Sequence, residues 1–192
     1  MKTKLLSKGN YMKHSLILIS IIISSTIFSG CLQFNTVSYE VTMFTENSGE
    51  VKIQINDIRS DAETDEAFEE DKTALFETIL GSQQFIDDMN NEGKFISSRD
   101  LFVEDGKLNG KGAYRFDEIG KVEGMVYADG FYYITFEPSD SIVSTNGQIF
   151  ITDQYKRIVW DKSFKTLQFE MLSNPFEEGS YRELAPFYPT KK

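Results

Sequence analysis

Val37-Ser38-Tyr39-Glu40-Val41-Thr42-Met43 and Val51-Lys52-Ile53-Gln54-Ile55-Asn56 flank Glu46-Asn47-Ser48-Gly49. In both runs every second residue is apolar and its neighbours are polar. A period of two is the pattern of a strand with one face buried and one in water. The polar tetrad between the runs ends in glycine and predicts a turn. The two strands therefore return on each other as an antiparallel hairpin.

The pattern recurs downstream. Phe95–Glu104 and Lys107–Phe116 flank Asp105-Gly106, Met125–Ala128 and Phe131–Glu137 flank Asp129-Gly130, and Ile142–Thr145 and Gln148–Thr152 flank Asn146-Gly147. Asp-Gly and Asn-Gly readily take the positive φ angles of a type I′ turn, so each pair predicts a hairpin. Tyr155–Trp160 and Thr166–Leu172 predict two more strands, the second with Leu167, Phe169 and Met171 inward. Gly110-Lys111-Gly112 lacks the spacing of a phosphate loop and lies within a predicted strand, which suits a bulge or bend. Asp117–Gly124 reads as a connector with one helical turn. The tail from Asn174 holds Pro175, Pro186 and Pro189 among aromatic residues and is expected to be irregular but packed.

Two helices separate the first hairpin from the second. Ser60-Asp61-Ala62-Glu63 has the spacing of a capping box. Phe68, Leu75, Phe76, Ile79 and Leu80 form a helical stripe ended by Gly81, and a shorter helix follows from Ser82 with Phe85, Ile86 and Met89 inward. Asp61, Glu63 and Asp65 suggest calcium. An EF-hand loop, however, needs glycine and glutamate where this chain has Glu66 and Lys72. A solvated helix start is the simpler reading. The expected fold is thus α+β: an antiparallel β-sheet built of successive hairpins, with one or two helices packed on one face.

Phe131-Tyr132-Tyr133-Ile134-Thr135-Phe136 carries aromatics at odd and even positions. Either both faces of this strand are covered or one is an exposed binding surface. Trp160, the sole tryptophan, is either a core anchor or a stacking platform. Burial in the core is the preferred reading of both, and Tyr132, Phe136 and Trp160 are the candidate residues if a binding surface lies here instead.

The N-terminus supplies an address. Lys13-His14 precedes the apolar run Leu16–Ile23, and small residues follow to Gly30. These are the three parts of a secretory signal. The run is shorter than the roughly 20 apolar residues of a spanning helix. Phe28-Ser29-Gly30-Cys31 resembles the lipobox of bacterial lipoproteins. That resemblance implies cleavage between Gly30 and Cys31 and a diacylglyceryl group on the Cys31 sulfur. Met12 is a plausible start of translation. Residues 1–30 are then a signal peptide, residues 31–36 an anchor and short link, and residues 37–192 a single domain. Two or more acyl chains hold a protein stably on a bilayer. The expected location is the extracytoplasmic face of a membrane. Leu32 after the cysteine, in place of aspartate, favours an outer membrane where one exists.

Composition narrows the chemistry. Residues 1–30 hold four of the 20 basic residues and none of the 30 acidic ones, so the remaining 162 residues carry a net charge of −14. Nucleic acid is excluded as a partner, because affinity there comes mainly from Lys and Arg at phosphates. His14 and Cys31 are the sole histidine and cysteine. After processing there is no imidazole base, thiol nucleophile, disulfide or His/Cys metal ligand. Triad hydrolases, zinc sites and haem ligation by histidine drop out together. No metal, cofactor or catalytic residue is implied.

Ile142-Val143-Ser144-Thr145-Asn146-Gly147, followed by Ile158-Val159-Trp160, resembles a signature of LppM-type lipoprotein domains. The resemblance implies Cys31 as anchor, Asn146-Gly147 as a turn, Trp160 as core and a membrane-associated role without catalytic residues. The expected function is a membrane-anchored lipoprotein with a non-enzymatic binding or structural role at the cell envelope. Its partners are the bilayer, through acylated Cys31, and an envelope protein. The alternative is a cavity for a lipid or small apolar ligand. A carboxylate-based hydrolase is a third reading, and it needs two carboxyls facing each other across a cleft.

Overall fold

The computed structural model describes residues 32–172, 176 and 181–189. The signal peptide expected at residues 1–30, with Gly30, and the expected anchor Cys31 lie outside the described residues. The chain is α+β and mostly antiparallel sheet. Its strands are β1 (Leu32–Met43), β2 (Gly49–Ser60), β3 (Lys94–Glu104), β4 (Lys107–Phe116), β5 (Val126–Ala128), β6 (Phe131–Phe136), β7 (Ser141–Thr145), β8 (Gln148–Ile151), β9 (Lys156–Asp161), β10 (Thr166–Leu172) and β11 (Arg182–Glu183). Helices α1 (Asp65–Thr73) and α2 (Gln83–Asn91) lie between β2 and β3, joined through a π-helical segment, Ala74–Ile79.

The strands form two sheets where one was expected. The larger runs β3-β4-β2-β1-β10-β7, with β11 added to β2, and the smaller runs β5-β6-β9-β8. Alternation puts Tyr39, Val41, Met43, Val51, Tyr114, Phe116, Leu167 and Phe169 of the large sheet into one cluster with Tyr132, Ile134, Phe136, Ile158 and Trp160 of the small one. A second cluster gathers Phe68 and Leu75 with Ile58, Leu101, Leu108 and Leu184.

Several expectations need correction. Residues 32–36 are not a link, because β1 begins at Leu32, which pairs with Ser60. Ser60 is not a helix cap. It is buried at the end of β2, donates from Oγ to Asp71 Oδ2 at 2.6 Å and accepts from the Ala62 N–H. The cap is Thr64, whose Oγ1 accepts from Ala67 N. The strand pairing simply persists further than the capping pattern suggested. Gly110 and Gly112 pair in unbroken register with β2, and the bulge sits opposite, on β3 between Ile96 and Ser98. The tail is partly regular, since β11 pairs with β2.

The largest correction falls at Asn146-Gly147. β7 pairs with β10 in the large sheet and β8 pairs with β9 in the small one, so the two are not a hairpin. Asn146-Gly147 carries the chain from one sheet to the other.

Candidate functional site

The crossing is held by one side chain. Asn146 Oδ1 accepts from Trp160 Nε1 at 2.7 Å and from Gln168 N at 2.8 Å, and its Nδ2 donates to Thr166 O at 2.9 Å. These bonds tie β7 and β10 of the large sheet to β9 of the small one. Gly147 fits beneath the indole: a Cβ there would lie 2.6 Å from Trp160 Nε1 and 2.7 Å from Ile158 Cγ2.

This packing decides the fate of the candidate surface residues. Tyr132, Phe136 and Trp160 are 3%, 2% and 1% exposed, so they are core and not a binding surface. The reason is alternation. On β6 the even residues face the large sheet, leaving Phe131, Tyr133 and Thr135 on the outer face. Cross-strand register lines these up with Asp161, Val159 and Arg157 of β9, and next with Gln148 and Phe150 of β8. Val126 of β5 adjoins Tyr133.

The outer face of the small sheet therefore carries Val126, Phe131, Tyr133, Val159 and Phe150 around Arg157. Phe131 and Phe150 are 47% and 45% exposed. Arg157 sits 4.6 Å over the Tyr133 ring and 4.7 Å over the Tyr155 ring, and its Nε donates to Thr135 Oγ1 at 2.9 Å. Among the described residues it makes no ion pair. Two aromatic faces hold the cation by their negative quadrupoles. The sequence signal for this face was the run of aromatics at both parities of β6. Tyr132, Phe136 and Trp160 are core, as the preferred reading has them, while the exposed residues of β6 are the odd-numbered ones. Arg157 was missed because an isolated Arg in a strand has no pattern.

The polar face of the large sheet is different. A recess of about 780 Å³ opens there, lined among others by Ser38, Glu40, Lys52, Gln54, Lys111 and Gln168. It is a trough and not an enclosed apolar chamber. Its charges are largely matched: Lys52 pairs with Glu40 at 3.3 Å and Lys111 with Asp100 at 3.9 Å.

A third polar group is internal. Val122-Glu123-Gly124-Met125 is a tight turn closed by Met125 N on Val122 O at 2.8 Å. It buries the Glu123 carboxyl near Tyr39, Tyr114 and Lys94. Burial pushes that carboxyl up to about 7, against the pull of the Lys94 charge. Burial first, and the Glu123 charge second, hold both tyrosines above their usual range. Tyr114 Oη and Glu123 Oε1 have no hydrogen-bond partner among the described residues.

Among the described residues no group of three acids, histidines or cysteines could hold a metal ion, and no helix is long and apolar enough to cross a membrane. No family model, no curated protein and no solved structure matches this chain.

Proposed function

We propose that the chain is a membrane-tethered lipoprotein that acts by binding an envelope protein, and not by catalysis. The observation that carries the binding half is Arg157 on its aromatic platform. Arg, Tyr and Phe are all enriched at protein interfaces, and Arg and Tyr at their hot spots. An arginine that makes no ion pair among the described residues, in a chain of net charge −10, suits a carboxylate from outside. The partner is therefore a protein segment that sets an acidic side chain on Arg157 and apolar side chains against Phe131 and Phe150.

The tether rests on the lipobox-like Phe28-Ser29-Gly30-Cys31, and the LppM-type resemblance points the same way. With β1 starting at Leu32, an acylated Cys31 leaves no slack between bilayer and domain. We further infer that the helices and the small sheet cover the same face of the large sheet. The trough face then stays open to water.

Two measurements test this reading. The mass of the peptide bearing Cys31, taken from native membranes, should include a diacylglyceryl group; an unmodified thiol or an uncleaved leader sinks the tether. A photo-cross-linker at Val159 should trap a membrane protein, and Arg157→Glu should abolish the adduct. If only a cross-linker at Gln54, in the trough, gives adducts, the aromatic face is not the binding surface.

A further inference from the structure

We propose that β8 is a dimerisation strand: two copies of this chain pair antiparallel along the open edge of the small sheet, with Phe150 on the twofold axis.

β8 lies at the end of its sheet, and among the described residues no strand pairs with its outer side. All four of its residues are exposed, with Ile149, Phe150 and Ile151 at 42%, 45% and 69%. Sheet edges are normally protected by charge, proline or shortness. β3, one edge of the large sheet, carries Lys94, Arg99, Asp100 and Glu104; β7, its other edge, is uncharged but is mostly Ser and Thr; and β5, the other edge of the small sheet, has three residues. Gln148-Ile149-Phe150-Ile151 has neither charge nor proline.

The occupant follows from the backbone and from the order of side chains. Thr152 N donates to Tyr155 O at 2.9 Å, so these two form a hydrogen-bonded pair. Such pairs alternate along an antiparallel ladder. Phe150 therefore bonds inward to Arg157, its register partner, and the N–H and C=O groups of Ile149 and Ile151 point out. The outward set is self-complementary. A second copy centred on Phe150 places each Ile149 opposite the other copy's Ile151, in two hydrogen-bonded pairs. The two Phe150 rings meet in the closer, non-hydrogen-bonded position between them. Gln148 falls opposite Thr152, so no like charges oppose each other. A register centred between residues would turn the inner face of one sheet onto the outer face of the other, and is rejected. The twofold register keeps faces aligned and joins two four-stranded sheets into one of eight. It also sets the two Arg157 platforms side by side, although the pairing does not depend on the tether or on the envelope partner. A closed, isologous contact of this kind stops at two copies.

The register is directly testable. In the full chain carrying Cys31→Ser, which removes the sole native thiol, Phe150→Cys brings two thiols together across the axis. Cα atoms in a non-hydrogen-bonded pair are close enough for a disulfide. Mild oxidation should give a covalent dimer at least about tenfold faster than the same chain with Val103→Cys, an exposed position on β3, because pairing raises the local thiol concentration. Sedimentation of the parent chain should show a dimer, and Phe150→Lys should shift it to monomer. If the parent stays monomeric at about 100 µM, where mass action favours association, and the Phe150→Cys chain oxidises no faster than the Val103→Cys chain, the proposal is wrong. A monomer that instead binds phosphatidylglycerol vesicles through Phe150 also overturns it and makes β8 a lipid contact. Should Phe150→Lys fail to fold, the ratio of oxidation rates between the Phe150→Cys and Val103→Cys chains decides alone.

Discussion

Asp105-Gly106 turns β3 into β4 with φ angles of 51° and 75°, whereas Asn146-Gly147 carries the chain out of one sheet and into another. Two further pairs take the first conformation: Glu123-Gly124 at 50° and 69°, and Asp129-Gly130 at 53° and 83°. On the chain, Asn-Gly is the stronger turn signal and Glu-Gly the weaker. The molecule reverses that order. Glycine serves two separate needs, a left-handed backbone and the room left by a missing Cβ. The dipeptide alone does not say which one applies. At Gly106 the need is conformational, with nothing within 4 Å of where a Cβ would stand. At Gly147 it is space beneath Trp160.

The first way to break this comparison is Gly147→Ala. Its methyl would overlap Trp160 and Ile158, which are 1% and 0% exposed and have nowhere to go. Overpacking of this kind costs about 3 kcal/mol. The midpoint of urea unfolding, followed by the fluorescence of the single tryptophan, should fall accordingly. A variant as stable as the parent would mean that the two sheets do not meet at this corner.

Burial of Glu123 adds a pH test to the turn that was least visible in the sequence. Folding lifts its carboxyl from the usual 4.5 to about 7, so the folded state holds a proton that the unfolded state has lost. This contribution to stability is complete below about pH 4.5 and is lost as pH rises towards 7. The full difference is at most about 3 kcal/mol, from the free energy of a pKa shift. Glu123→Gln should remove that part of the slope between pH 5 and 7. An unchanged slope would place the carboxyl in water.

Asn146→Ala sharpens the account of the corner itself. It leaves the indole N–H of Trp160 and the backbone N–H of Gln168 without their acceptor, which costs about 2 kcal/mol. Asn146→Asp keeps both acceptor bonds and loses the donor to Thr166 O, so it should cost less. In a double-mutant cycle with Trp160→Phe the two changes should be non-additive, because they share one bond. Additive losses would show that Asn146 holds β10 alone.

Much of this fold was legible because it is local. Alternation identified β1, β2 and β10, the Asp-Gly pairs placed β4 and β6 beside their partners, and three turns followed from Asn-Ser-Gly or Asp-Gly at the expected places. The illegible part is what local pattern cannot carry. Nothing between Val143 and Ile151 says that the first half of the run pairs with β10 and the second half with β9, because both partners come later in the chain. Ser60 matched a capping box by spacing, yet its pairing with Leu32 and Arg182 kept it in the sheet. The candidate surface failed for a related reason. Tyr132 and Tyr133 are equivalent in sequence, and the side chain that faces inward is decided by where the small sheet lands on the large one.

The smallest expected effect separates the two glycine roles most cleanly. Gly106→Ala forces a Cβ into the left-handed region, at a cost of about 1 kcal/mol. Gly106→Asn should recover part of that loss, because asparagine enters this region more readily than alanine. At Gly147 the same change can recover nothing, since the obstacle is Trp160 and a larger side chain meets it harder. Unfolding midpoints should therefore rank Asn above Ala at position 106 and Ala above Asn at position 147. The same ranking at both sites would mean that one requirement governs both glycines, and the distinction between turn and crossing would fall.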